Sequence, residues 1–294
     1  MTRPHPRPIL LYTLIGLTQC FWTANFLVGK VALREFPPLL AAGLRVLIAA
    51  ACILPFWWWK RRGRPSLARR DLVALAWLGL IAGGINQGLF LLGLSKTSVA
   101  HSAFIIGMTP VSVLLLAAAR GLERVTPRKL AGMLVAFGGL ALLGLERGNG
   151  VGPSLAGDLI MLAATACFAL YVVLGKEVTH RLDSVTVNAF IFGFGAVLLA
   201  PVVAWQGAGF DFGRISTPGW LSILYMALFP SLISYLIFYH ALGYVSASRL
   251  SMLAYVQPVA ATALGVLVLG ERVTLPLVAG GAVIVAGVWL AERT

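Results

Sequence analysis

Apolar runs long enough to cross a lipid bilayer recur along the whole chain, and short polar intervals separate them. A hydrocarbon core about 30 Å thick needs a helix of about 17 to 25 mostly apolar residues. Ten runs meet that length, and they cover residues 9–28, 39–59, 72–94, 99–119, 129–145, 155–175, 185–205, 220–242, 247–269 and 275–291. The pattern therefore predicts an all-α membrane protein with ten transmembrane helices.

One part of this pattern occurs twice. Residues 94–142 align with residues 242–290 without a gap, at a constant offset of 148 positions. Pro110 aligns with Pro258, and each copy carries the tetrapeptide Glu-Arg-Val-Thr. Each copy consists of two apolar runs joined by a short charged turn. The match predicts an internal duplication whose unit contains a membrane helical hairpin.

The duplication has a consequence for topology. Each half of the chain contains five predicted helices, an odd number, so equivalent segments enter the membrane in opposite directions. The charged turn at residues 120–129 is then predicted on the cytoplasmic side and its equivalent at 271–272 on the outer side. Such inverted repeats are the units from which alternating-access carriers are built. We expect two domains, residues 1–146 and 154–294, joined by a glycine-rich linker.

The distribution of charge predicts the orientation. Hydrophobic residues make up 59% of the chain and charged residues 11%, and the mean hydropathy is +0.90, which excludes a soluble protein. With the N-terminus inside, 16 of the 23 Lys and Arg residues lie on the cytoplasmic side and 6 on the outer side. The positive-inside rule therefore predicts a multi-pass protein of the bacterial cytoplasmic membrane with both termini in the cytoplasm. The net charge of +13 is spread over separate short loops, so we expect lipid and not nucleic acid as the partner.

The residues quoted so far carry a family resemblance. The duplicated hairpin, with its mid-helix proline and its Glu-Arg-Val-Thr turn, resembles the EamA-type repeat of the drug/metabolite transporter superfamily. Trp22, Asn25, Lys30 and Arg45, with Pro37–Pro38 before the second helix, fit the same resemblance. It covers nearly the whole chain and implies ten helices in two inverted five-helix bundles around a central cavity. Within the superfamily the chain looks like the YddG-type exporters of aromatic and other amino acids.

Two prolines lie midway along predicted membrane helices. Pro110 follows Thr109 in the fourth helix, and Pro258 follows Gln257 at the equivalent place in the ninth. A proline within a helix frees a carbonyl group and permits a kink. We interpret the two prolines as paired hinges, with Thr109 and Gln257 facing the cavity. Kinks that only shape a static bundle are the alternative.

Polar and aromatic residues gather near the middle of several predicted helices. Thr18, Trp22, Asn25 and Gly29 fall on one helix face, which would be costly against lipid. Amides in the third helix need partners, which either a pocket or a neighbouring helix supplies. Aromatic faces with a few amides and hydroxyls suit an amphipathic ligand with an apolar side chain. The predicted substrate-binding residues are Trp22, Asn25, Asn86, Gln87, Thr109, Phe168, Tyr171, Tyr235, Tyr239, Tyr255 and Gln257.

Ionisable groups are nearly absent from the predicted membrane interior. All ten acidic residues fall in loops or near predicted helix ends, which argues against an antiporter of cationic drugs and makes facilitated transport plausible. His101 and His240 could titrate near neutrality, although a structural histidine is the simpler interpretation. Arg45 is the one basic residue clearly inside an apolar run. It could snorkel, pair with a helix C-terminus or bind a substrate carboxylate, and we favour a structural role.

These observations predict a secondary transporter that exports small metabolites, with amino acids, including aromatic and apolar ones, as the first expectation. The alternatives are an exporter of another metabolite or drug, an integral-membrane enzyme and a channel. An enzyme needs a cluster of acidic, His or Cys residues at one membrane face, and a channel needs a continuous polar stripe. Cys20, Cys52 and Cys167 lie in apolar runs and are predicted to be small buried hydrophobic residues. We expect no cofactor, no metal, no catalytic residues and a monomer.

Overall fold

The computed structural model describes residues 8–62, 66–121, 126–143, 145, 153–179, 181–245, 250 and 256–292. In this part of the chain, seven helices are long and apolar enough to cross a membrane and two shorter helices are also apolar. Pro127–Leu143 completes a set of ten. In chain order they are α1 Pro8–Ala32, α2 Pro38–Arg61, α3 Arg69–Lys96, α4 Val99–Ala119, α5 Pro127–Leu143, α6 Leu155–Val178, α7 Ser184–Ala208, α8 Thr217–Leu242, α9 Val256–Leu269 and α10 Leu275–Glu292.

The predicted all-helical membrane fold is confirmed, with ten helices in the described part of the chain. The described ends lie close to the predicted ones, and the largest shift is in α1, which ends at Ala32 instead of Val28. The predicted start of the ninth helix, at residue 247, lies outside the described residues.

Capping residues explain several of the helix starts. The side chains of Ser98, Ser154 and Ser216 accept hydrogen bonds from the first-turn N–H groups of α4, α6 and α8. These bonds satisfy donors that a helix leaves without intrahelical partners. Ser216 also donates its hydroxyl and backbone N–H to the Glu35 carboxylate, at 2.6 and 2.7 Å. Those two hydrogen bonds lower the pKa of Glu35 and link the loop after α1 to the start of α8.

The two halves of the chain make equivalent helix contacts. Helix α1 packs on α8 and α9, and α6 correspondingly packs on α3 and α4. Helix α2 packs on α7, and α5 packs on α10. Exchanging each helix with the one five places later therefore leaves these contacts unchanged. The duplication seen in the sequence is a pseudo-two-fold arrangement of packed helices.

A π-helical turn interrupts α3 and another interrupts α8. They span Gly79–Ile85 and Ala227–Ile233, which are the same positions at the repeat offset of 148. A π-turn lengthens the hydrogen-bonded ring by one residue and is frequent at functional sites. In α8 the turn contains Pro230, which has no N–H to donate. Sequence periodicity did not predict either turn.

Helix α4 is broken at the proline predicted as a hinge. Its two parts are Val99–Ile106 and Thr109–Ala119, with Pro110 in the first turn of the second part. The break lies against the other repeat, because a Cβ atom added at Gly107 would be 3.0 Å from Cγ of Pro258. Pro258 lies in the first turn of α9, and the residues just before Val256 lie outside the described part. Pro258 of the second repeat thus packs against the break in α4 of the first.

Glycine permits the close crossing of α3 and α7. A Cβ atom at Gly83 would lie 2.0 Å from the carbonyl oxygen of Ile191, and one at Gly195 would lie 2.4 Å from the carbonyl carbon of Gly83. No real side chain tolerates such distances to a backbone. The crossing brings the π-turn of α3 against α7 and therefore fixes the depth of the amides that follow it.

Replacing Gly83 by Ala should force α3 and α7 apart and destabilise the fold by about 1–3 kcal/mol. The matched control is Gly16→Ala in α1, where an added Cβ meets nothing within 4 Å. Thermal unfolding in detergent, followed by size-exclusion chromatography, measures both. Equal melting temperatures for the two variants would contradict the close crossing.

Candidate substrate cavity

A cavity lies in the middle of the helix bundle, and its empty space, counted together with the part open to solvent, is about 730 Å³. Seven of the helices contribute to its wall: α1, α2, α3, α4, α6, α8 and α9. The lining residues are Gln19, Trp22, Asn25, Phe26, Arg45, Asn86, Gln87, Phe90, Ile106, Thr109, Ala164, Thr165, Phe168, Pro230, Tyr235, Phe238, Leu250 and Gln257.

Most of the predicted substrate-binding residues come together in this wall. They are Trp22, Asn25, Asn86, Gln87, Thr109, Phe168, Tyr235 and Gln257. Tyr171 and Tyr239 are buried behind the wall, where Tyr239 donates to the carbonyl of Gly175. We therefore do not keep these two tyrosines among the proposed substrate contacts. Tyr255 lies outside the described residues.

Four aromatic rings form one side of the cavity, which we call the aromatic wall: Trp22, Phe168, Tyr235 and Phe238. The Trp22 ring centroid is 5.5 Å from that of Phe168, 6.1 Å from that of Tyr235 and 5.3 Å from that of Phe238. Tyr171 supports the wall from behind, with its centroid 5.5 Å from that of Tyr235. Such edge and tilted contacts are the favoured geometry of aromatic pairs. The wall offers a preformed apolar surface to a ligand.

The π-turn of α8 orients the aromatic wall. The indole N–H of Trp22 donates to the carbonyl of Pro230 at 2.9 Å. Lipid offers no hydrogen-bond donor, so a polar contact of the turn must be made within the protein. The bond gives this carbonyl a donor from another helix and fixes the indole ring at the same time.

Amide side chains from the end of the π-turn in α3 form a second polar cluster. Gln87 donates from Nε2 to the carbonyl of Ala82 at 3.2 Å and to the Tyr235 hydroxyl at 3.0 Å. The Tyr235 hydroxyl donates to Oδ1 of Asn86 at 3.4 Å, and Asn86 donates to the carbonyl of Ala164 at 2.8 Å. Gln87 and Tyr235 are equivalent positions in the two repeats, separated by 148 residues. The cluster therefore lies at the pseudo-two-fold axis and joins both halves.

A third polar group comes from α1 and α9. Gln257 donates from Nε2 to Oε1 of Gln19 at 2.6 Å. The Oδ1 atom of Asn25 is buried and has no hydrogen-bond partner among the described residues. Thr109 donates its hydroxyl to the carbonyl of Ile106, within its own helix. The cavity thus combines an aromatic wall with amide donors and acceptors.

Arg45 is a cavity residue for which sequence reasoning favoured a structural role. Its side chain is 2% exposed. It donates to the hydroxyl of Ser231, from Nε at 3.2 Å and from Nη2 at 2.9 Å. Ser231 in turn donates to the carbonyl of Met226 at 2.8 Å. The guanidinium carbon lies 6.0 Å from the centroid of the Phe90 ring. Because of its bonds to Ser231, Arg45 joins α2 to the π-turn of α8, and it also lines the cavity.

Sequence reasoning also missed Gln19, and the reason is local. The stripe predicted on α1 began at Thr18, whose hydroxyl instead donates to the carbonyl of Leu14 in its own helix. Gln19, Trp22 and Phe26 line the cavity together. Their spacing of three and four residues also places them on one helix face. The predicted stripe had the same kind of spacing but began at Thr18 instead of Gln19.

Two of the cysteines are not in the predicted environment. Cys20 and Cys52 are exposed on the outer faces of α1 and α2, and Cys167 is half-buried. A membrane helix can expose apolar groups to lipid, so an apolar run did not indicate burial inside the protein.

Polar contacts join three helices at one end of the bundle. Lys30 donates from Nζ to the carbonyl of Thr97 at 2.6 Å, and the Thr97 hydroxyl donates to Asp158 at 2.5 Å. The His101 ring lies 3.1 Å from the same carboxylate. All of Thr97, His101 and Asp158 are buried. The predicted structural role for His101 is compatible with this contact, and the network ties α1, α4 and α6 together.

The Glu271 carboxylate caps a helix of the other repeat at the same end. It accepts hydrogen bonds from the N–H groups of Val99 at 2.7 Å and Ala100 at 3.1 Å, at the start of α4. A carboxylate at a helix N-terminus is stabilised by the helix dipole. Glu271 of the second repeat therefore has its partners at a helix start of the first repeat. Its equivalent, Glu123, lies outside the described residues.

A lysine contact of the same kind lies in the second repeat. Lys176, near the end of α6, donates to the carbonyls of Leu242 at 2.6 Å and Val245 at 2.9 Å. Val245 is the repeat equivalent of Thr97, the acceptor of Lys30. Each repeat therefore uses one lysine near the end of its first helix to hold the segment after its third helix.

A bundle of ten helices, seven of which line a cavity with apolar and polar walls, is the architecture of a membrane transporter. The sequence model of the EamA-like transporter family matches residues 10–145 and again residues 155–292. The chain belongs to the EamA-like transporter family, and the resemblance inferred from the duplicated hairpin is confirmed.

Similar proteins carry the same general description. An uncharacterized transporter of Archaeoglobus fulgidus is 26% identical over 282 residues, which cover 95% of this chain and 96% of that protein. The uncharacterized transporter YetK of Bacillus subtilis is 23% identical over 95% of this chain and 86% of its own. The uncharacterized inner membrane transporter YedA of Escherichia coli K12 is 25% identical over 86% of this chain and 81% of its own. A protein of known crystal structure, 18% identical, shares the fold over 97% of both chains with a TM-score of 0.66.

Proposed function

We propose that this transporter exports amino acids, including aromatic and apolar ones, across the bacterial cytoplasmic membrane as a monomeric secondary carrier. The observation that carries the proposal is the cavity itself, in which an aromatic wall faces amide donors and acceptors. An amino acid presents the matching combination of an apolar side chain and a compact polar head. The resemblance to YddG-type exporters of aromatic amino acids points in the same direction.

The proposed mechanism is alternating access between two inverted repeats. An odd number of helices per repeat supports the inversion, and the equivalent contacts of the two halves support a symmetric pair of conformations. In this mechanism Lys30 and Lys176 hold equivalent contacts at opposite faces of the membrane. Opening one face requires the release of one lysine contact, while the equivalent contact keeps the other face closed.

The aromatic wall predicts which variants lose substrate. Phe168→Ala should weaken the binding of phenylalanine or leucine about tenfold or more, because the loss of buried apolar contact costs about 1.5–3 kcal/mol. The matched control is Phe56→Ala, since Phe56 is 48% exposed on the outside of α2. Counterflow of labelled amino acid into liposomes measures both, and saturation of the rate distinguishes a carrier from a channel.

The same counterflow assay tests the proposal of amino acid export. No counterflow of any amino acid by the wild-type protein would refute amino acid export.

The amide side chains of the cavity give a second test. We expect Asn25→Leu and Gln87→Leu each to change the order of preference among the amino acids. Unchanged uptake of every amino acid tested would remove these two amides from the site.

The paired prolines predict a kinetic effect. Pro110→Ala combined with Pro258→Ala should slow exchange about tenfold, equal to about 1.4 kcal/mol in the barrier, with a smaller effect on binding. The reason is that a continuous helix restores the hydrogen bonds that the break removes. Exchange rates from counterflow and affinities from titration of the same preparations give the comparison. An unchanged rate with weakened binding would contradict the hinge role.

The inverted topology predicts opposite accessibility for equivalent turns. Single cysteines replace Arg128 or Arg272, both exposed, in a protein whose three native cysteines are changed to alanine. A membrane-impermeant maleimide should label Arg272→Cys in intact cells and Arg128→Cys only after permeabilisation. Labelling of both from the same side would refute the inverted arrangement.

A further inference from the structure

The charge inside the cavity is not balanced. Arg45 is the single charged side chain among the described lining residues, and no Asp or Glu is among them. A cation held away from water without a counter-charge is unfavourable, and charged groups within membrane proteins pair with one another or mark a substrate pathway. Arg45 therefore lacks a negatively charged partner within the described part of the cavity wall.

The hydrogen bonds of Arg45 leave one edge of the guanidinium open. Nε and Nη2 share the Ser231 hydroxyl, a neutral acceptor whose own proton is donated to Met226. Nη1 is buried and has no hydrogen-bond partner among the described residues. A guanidinium group has five donors arranged to match a carboxylate. Ser231 therefore accounts for the position of Arg45 and not for its remaining donors.

We propose that Arg45 binds the carboxylate of the transported molecule, which makes the substrate class amphipathic organic acids, amino acids among them. A single arginine balances one negative charge, so the cavity suits a monoanionic carboxylate better than a phosphate dianion. The apolar part of the substrate lies against the aromatic wall, and the amine of an amino acid finds an acceptor in Asn25 Oδ1. The inference rests on the proposed function and adds that the acid group, not the amine, is required.

Competition in the wild-type protein tests this inference without a variant. Three unlabelled compounds compete with labelled phenylalanine in counterflow: phenylalanine, 3-phenylpropionate, which lacks the amine, and phenethylamine, which lacks the carboxylate. We expect phenylpropionate to compete within about tenfold of phenylalanine and phenethylamine to be at least about tenfold weaker than phenylpropionate, as expected for loss of a charge-assisted hydrogen bond. Equal competition by the acid and the amine would overturn the inference.

Variants test whether the guanidinium group of Arg45 causes the preference for the acid over the amine. Arg45→Gln should weaken phenylalanine binding about tenfold or more and abolish the preference for the acid over the amine. The matched control is Arg128→Gln, which removes an exposed arginine and should keep that preference. Ser231→Ala should weaken binding and retain the preference, because the charge remains. A folded Arg45→Gln protein that still prefers the acid would overturn the inference.

The two proposals fail in different ways. Absence of phenylalanine exchange together with exchange of labelled phenylpropionate would refute amino acid export and support the role of Arg45. Phenylalanine exchange that phenethylamine inhibits as well as phenylpropionate does would support amino acid export and refute the role of Arg45. If Arg45→Gln does not fold, the wild-type competition and the Ser231→Ala variant still decide.

Discussion

The hydrogen-bonding requirement of a backbone inside a bilayer governs this structure. Carbonyl groups that leave regular helix pairing must find a donor within the protein, because lipid offers none. The indole of Trp22 satisfies the carbonyl of Pro230, and the amide of Gln87 satisfies that of Ala82. Both of these side chains also line the cavity. Backbone irregularity and ligand chemistry are therefore products of the same constraint.

The duplication places these irregularities opposite each other. Both π-turns occupy equivalent positions, and the residues that follow them, Gln87 and Tyr235, bond directly across the repeat axis. The same position of the repeat is thus an amide in the first half and a phenol in the second, and the two side chains form one polar cluster. Arg45 occurs on one side only, so the chemistry of the cavity is asymmetric within a symmetric frame.

The fold could be predicted from the sequence because the bilayer constrains the length and the composition of each helix. Run length sets the number of helices, since the bilayer thickness sets their length. The polar face of α1 was also accessible, because a stripe that contains Asn25 is costly against lipid. Periodicity could not tell whether an apolar residue faces lipid or protein, which is why Cys20 was misplaced. It also could not separate Tyr235, in the wall, from Tyr239 one helical turn further, behind it.

The sequence by itself determined the ten helices, the duplication, the family and eight of the 18 residues that line the cavity, because these follow from local hydrophobicity, composition and motif spacing. Only the tertiary structure decided the two π-turns, the bond between Gln87 and Tyr235 and the position of Arg45 in the cavity wall. These depend on contacts between residues more than 140 positions apart, and no local pattern encodes which carbonyl or hydroxyl such a side chain will reach.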